Sequence, residues 1–73
     1  MICMAVLPSD TFMYKAQRIL TANGYKTEMI RTTTREDGCI FAIKIHGEFE
    51  KIRLLLEHER IPVKNLRIER DNA

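Results

Sequence analysis

From Arg31 to Gly38 the chain reads Arg-Thr-Thr-Thr-Arg-Glu-Asp-Gly, and it passes directly into Cys-Ile-Phe-Ala-Ile-Lys-Ile at positions 39–45. The second run is rich in β-branched and aromatic residues, so it reads as a strand. The stretch before the polar segment, Tyr25 to Arg31, is weakly amphipathic with a period of two and reads as another strand. Asp37-Gly38 is a tight-turn signal, which leaves no room for a helix between the two strands. They must therefore be antiparallel neighbours. Helical spacing followed or preceded by a further apolar run appears on each side, which puts this hairpin at the centre of a small sheet with one helical connection on either side.

The outer elements follow from the same reading. Ile2 to Leu7 is continuously apolar, as expected of a strand covered on both faces, and Pro8 ends it. Ser9 or Asp10 then supplies a side-chain oxygen for a helix start, and Phe12, Ala16, Ile19, Leu20 and Asn23 share a helical face. Asn23-Gly24 closes that helix, because glycine accepts the left-handed backbone of a helix end. Charges on both faces of the strand over 25–31 suit a sheet edge. In the third strand Cys39, Phe41, Ile43 and Ile45 fall on one face, and Ile40, Ala42, Lys44 and His46 on the other. Gly47 interrupts it. Phe49, Ile52, Leu55, Leu56 and Glu59 then recur at helical spacing, and this second helix ends before Pro62. Val63 to Glu69 is the last strand, with a change of phase near Asn65 that reads as a bulge, and residues 70–73 are expected to fray.

Strand, helix, strand, strand, helix, strand is the order of the ferredoxin-like βαββαβ arrangement, an α+β fold with a four-stranded antiparallel sheet and two helices on one face. The expectation is a single domain over 1–73. A swapped or open sheet built from the same elements is the alternative.

Composition narrows the functional classes. Seventy-three residues can bury only a compact core, so association, for instance as a homodimer, would add stability. With 45% hydrophobic and 30% charged residues, and no apolar run near the roughly 20 that a membrane helix needs, the composition is that of a soluble domain without a membrane partner. The apolar N-terminus lacks a basic leader and reads as a strand, which points to a cytoplasmic protein. Its two cysteines form no CxxC spacing, so free thiols are expected rather than a disulfide framework, a metal site or any cofactor. A net charge of +2, with bases interleaved among acids as in Glu48-Phe-Glu-Lys, is a solvated surface rather than the stripe of a nucleic-acid binder. RNA recognition on the sheet would also call for paired aromatic stacking platforms.

The topology singles out one residue. Strands one and three are antiparallel neighbours in this arrangement, which brings Cys39 near Pro8, Ser9 and Asp10. Free amides at the first helix start favour an anion and lower a thiol's pKa. Arg31, Arg35 and Lys15 add cations at that end, opposed by Asp10, Glu36 and Asp37. Alternation, however, gives Cys39 the core-facing side, where burial would raise the pKa. The residue is thus either a small core hydrophobe or, as the first residue of its strand, a partly exposed thiol. Cys3 reads as core packing. His46 and His58 fall at opposite ends of the domain and read as surface residues; His58 lies at the Cys39 end, but no spacing brings it to the sulfur as a catalytic base. Gly38 is a lone turn glycine, not a phosphate-cradling run.

The run Ser9-Asp-Thr-Phe-Met-Tyr-Lys-Ala-Gln-Arg-Ile-Leu, then Asn23-Gly-Tyr, Ile30-Arg-Thr-Thr-Thr-Arg and Gly38-Cys-Ile-Phe-Ala-Ile resembles the small selenium/sulfur carrier protein-like family, from about Val6 to Ile61. By that resemblance Cys39 matches the motif cysteine, Gly38 the glycine before it and Phe41 the aromatic residue, with Ser9, Lys15 and Arg31 at the surrounding polar positions. Ile40 and Thr33 stand where that family commonly has glycine and proline. The resemblance implies a carrier rather than a turnover enzyme, with sulfur or selenium held on Cys39 as a persulfide or selenenyl-sulfide. A cysteine desulfurase or selenium-handling enzyme would load it, and Arg31 and Arg35 would stabilise the anion. The other functional class open to the sequence is an interaction module that associates through the sheet face carrying Ile40 and Ala42.

Overall fold

Why each segment takes its form is clearest at its ends. The computed structural model describes residues 1–36 and 38–69, with strands β1 (Ile2–Leu7), β2 (Lys26–Thr34), β3 (Gly38–His46) and β4 (Asn65–Glu69), and helices α1 (Asp10–Ala22) and α2 (Phe49–His58). The strands form one antiparallel sheet in the order β2-β3-β1-β4. This is the ferredoxin-like α+β arrangement. The hairpin is not central as a unit: β3 and β1 occupy the middle, and β2 is an edge strand, as its two charged faces indicated.

Ser9 starts α1, its hydroxyl accepting from the Phe12 N–H at 3.3 Å. The buried stripe of that helix is Met13, Ala16 and Leu20, flanked by Phe12 and Ile19. Asn23 does not belong to the stripe; it is the exposed C-cap, and its amide donates to the Ile19 carbonyl at 2.8 Å. Two backbone bonds then reverse the chain, from Gly24 N–H to Thr21 O at 3.1 Å and from Tyr25 N–H to Leu20 O at 3.0 Å, with Gly24 at φ 87°. That pair is the Schellman motif. Helix α2 ends the same way without a glycine: Arg60 N–H reaches Glu57 O at 3.0 Å, Ile61 N–H reaches Leu56 O at 2.9 Å, and Arg60 takes φ 57°. Glu59, expected on the packed face of α2, is its exposed C-cap.

The core lies between the helices and one sheet face. Cys3, Ala5 and Leu7 of β1 and Ile43 and Ile45 of β3 meet Met13, Ala16 and Leu20 of α1 and Ile52 and Leu56 of α2. Each large apolar side chain buried there contributes about 1.5–3 kcal/mol. Cys3 belongs to this core, as expected; its thiol donates to the Gly47 carbonyl at 3.7 Å, and burial pushes its pKa up. On α2, Arg53 bridges Glu50 at 2.9 Å and Glu57 at 2.8 Å on the solvent side.

Two boundaries differ from the sequence reading by more than one residue. β2 continues to Thr34, because the threonines read as a turn are β-branched and pair with β3 as Thr32↔Ile40, Thr33↔Cys39 and Thr34↔Gly38. The last strand begins at Asn65, where a bulge was expected. Lys64 N–H donates to Val6 O at 2.8 Å just before it, so the change of phase marks the end of a connection. Residues 70–73, expected to fray, and Asp37 of the turn signal lie outside the described residues.

Candidate functional site

β1 and β3 have different lengths, and that difference makes the site. β1 stops at Leu7, which pairs with Phe41, because Pro8 cannot extend the ladder. β3 reaches back three residues further, so Gly38 to Ile40 and Thr32 to Thr34 project beyond β1 as a two-stranded ribbon. Cys39 sits two residues past the last β1 pair, about 7 Å out along the strand. Its side chain takes the helix-side face by alternation, but the core has ended there. Cys39 is therefore exposed, while Phe41 on the same face packs against the core. Thr33, its cross-strand partner, brings Oγ1 to 3.7 Å from the sulfur.

The expected site residues divide into those near this sulfur and those used elsewhere. Gly38, at φ 70°, lets the chain enter β3 immediately before Cys39. Ser9 is half-buried, and its hydroxyl is engaged in capping α1. Arg35 is exposed in the turn. Arg31 has partners of its own: its guanidinium pairs with Asp10 and lies over the Phe41 ring at 5.9 Å. The Asp10 hydrogen bond, followed by one with Tyr14, raises the Arg31 pKa further. Lys15 does not reach Cys39; it lines a separate depression with Arg18 and Glu59. His58 lines another, with Leu54 and Glu57, and His46 pairs with Ile2 at the opposite end of the sheet. Among the described residues no group of three or more His, Cys, Asp or Glu is arranged to hold a metal ion.

Asp10 opposes Arg31 at this end, as the sequence indicates, but the part of Tyr14 has no sequence signal. Asp10 and Tyr14 are four apart on α1, a spacing that places them on one side of the helix. Only the strand register reveals that Arg31 meets them, because Arg31 lies in the Phe41 row of the sheet.

Leu7, Pro8 and Cys39 border a concavity of about 520 Å³ that runs over the open sheet face to Lys64 and Arg67. This part of the expected geometry holds, since Cys39 and Pro8 flank the same space. Two residues of the open face, Met4 and Ala42, are only 8% and 5% exposed, covered by their neighbours within the sheet, and Ile40 is half-buried. None of the five aromatic residues lies on that face: Phe12, Tyr14 and Phe49 are on helices, and Tyr25 and Phe41 pack on the helix side. It offers no stacking platform for bases. Among the described residues no helix is long and apolar enough to cross a membrane.

Compared with family models, curated proteins and solved structures, the chain matches none.

Proposed function

We propose that the protein is a carrier that holds sulfur or selenium on Cys39. The observation that supports this reading is the contrast between its two thiols, Cys3 sealed in the core and Cys39 exposed on a ribbon that extends past its neighbouring strand. A partner with a deep catalytic cleft requires an acceptor that can be carried into it, and a projecting ribbon has that shape. In a reducing cytoplasm the Cys39 thiol would stay free.

Loading is a thiol exchange. The Cys39 thiolate attacks the terminal sulfur of a persulfide on a cysteine desulfurase, forming a new S–S bond as the donor's S–S bond breaks, and the donor cysteine leaves as a thiolate. A selenium-handling enzyme that holds selenium in an S–Se bond on its own cysteine would transfer it in the same way, that bond breaking as the Cys39 S–Se bond forms and the donor cysteine leaving as a thiolate. Thr33, with Oγ1 3.7 Å from the Cys39 sulfur, Arg35 in the turn and Arg31 beside Asp10 and Phe41 would stabilise the terminal anion.

The test is intact-mass spectrometry after incubation with a cysteine desulfurase and free cysteine. The wild-type chain should gain one sulfur atom, removable by a reductant, and Cys3→Ala should gain it equally. Cys39→Ser should gain none. Equal loading of Cys39→Ser would refute the assignment.

A further inference from the structure

The concavity beside Cys39 carries an inference that does not depend on the carrier reading. Its floor is apolar, made by Val6, Ala42 and Ile40 from adjacent strands, while its far wall is Lys64, Asn65 and Arg67 at the entry to β4. Among the described residues two cations line it and no acid does. Lys64 makes no ion pair among the described residues, and its backbone is anchored to Val6 at 2.8 Å, which fixes the root of the side chain at the rim. Arg67 has one ion-pair partner among the described residues, Glu69 at 3.6 Å, and the arginine side chain is more than half exposed, so that pair is weak enough to yield to a competing anion.

Size and direction indicate the occupant. About 520 Å³ lies within the roughly 300–1,000 Å³ of small-molecule sites. The space crosses β1 from β3 to β4, about two strand spacings or ~10 Å, rather than following a strand as an extended peptide would. We propose that this concavity binds a small organic anion, with its charged head on Lys64, Arg67 and the Asn65 amide and its apolar body over Val6, Ala42 and Ile40.

The probe is 8-anilinonaphthalene-1-sulfonate, set against its uncharged analogue N-phenyl-1-naphthylamine. Both are titrated by fluorescence into the intact chain, with amide shifts mapping the site. The sulfonate should bind saturably and shift Val6, Ile40 and Ala42. In a Lys64→Gln/Arg67→Gln variant with unchanged thermal unfolding it should bind about tenfold more weakly, while the neutral analogue binds as before. Hexanoate should displace the sulfonate. Equal sulfonate binding by both proteins, or shifts confined to another surface, would overturn the proposal. So would displacement by an acidic peptide but not by hexanoate, or a dimer that covers Ile40 and Ala42 and excludes the dye.

Discussion

Arg60 is the position where a single substitution tests the backbone reasoning most directly. It closes α2 in the left-handed region, φ 57°, where an L side chain costs about 1–2 kcal/mol relative to right-handed geometry. Glycine removes that cost but gives the unfolded chain more freedom, which takes back about 0.4–1 kcal/mol. The remainder is about 1 kcal/mol in favour of glycine. Replacing arginine also removes a cation near the helix C-terminus, so the clean comparison is Arg60→Gly with Arg60→Ala, which share that loss. Arg60→Gly should be the more stable by about 1 kcal/mol, or about 4–8 °C in Tm for a domain of this size. Gly24 supplies the mirror experiment. A Cβ there would meet nothing within 4 Å, so Gly24→Ala should destabilise for conformational reasons alone. Urea and thermal unfolding read both differences. Equal stability of the two Arg60 variants would show that the left-handed residue stores no strain, and the argument would fail.

Other outcomes are as specific. With a water-soluble thiol reagent, the native chain should show one fast thiol, lost in Cys39→Ser, while Cys3 reacts only on unfolding because it is completely buried. Gly47→Ala should destabilise by about 1–3 kcal/mol in urea titration, since the added Cβ would fall 2.6 Å from a Tyr25 ring carbon and 3.3 Å from Ile52 Cδ1. The carboxyl of Glu50 is held below its usual pKa by its hydrogen bond to Arg53. Its contribution is therefore present above the ordinary carboxylate pKa and fades as pH falls through the lowered value, so Glu50→Gln should flatten the acid limb of stability against pH.

Periodicity and punctuation made much of this fold readable. Ser9, Asn23-Gly24 and the alternation of β3 each act locally, and each behaves as its residue type indicates. Thr32 to Thr34 read as turn in the sequence because polar residues next to Glu-Asp-Gly suggest one, yet pairing with Gly38 to Ile40 draws these β-branched residues into the ladder. Met13 belongs to the buried stripe although the spacing of Phe12, Ala16 and Ile19 points past it, because the exact helix phase depends on where α1 meets the sheet. Arg60 gave no signal at all: nothing in an arginine announces a left-handed backbone. The site shows the same division. The place of Gly38 and Cys39 at the start of a strand was visible, and so was the stop at Pro8, whereas the exposure of the sulfur was left open by alternation. The pairing of Arg31 with Asp10, 21 residues away, was visible only as opposed charges at one end of the sheet, and the part of Tyr14 was not visible.

The ribbon that carries Cys39 also sets how the molecule opens. Amides of β3 that lie between β1 and β2 should exchange with solvent only when the whole sheet comes apart, whereas those at residues 38–40 have one neighbouring strand and no core beneath them. Their exchange is set by a small local opening that leaves Ile43 and Ile45 packed. Residues 38–40 can therefore change their pairing while the rest of the domain stays folded, and the free energy of that adjustment is independent of global stability.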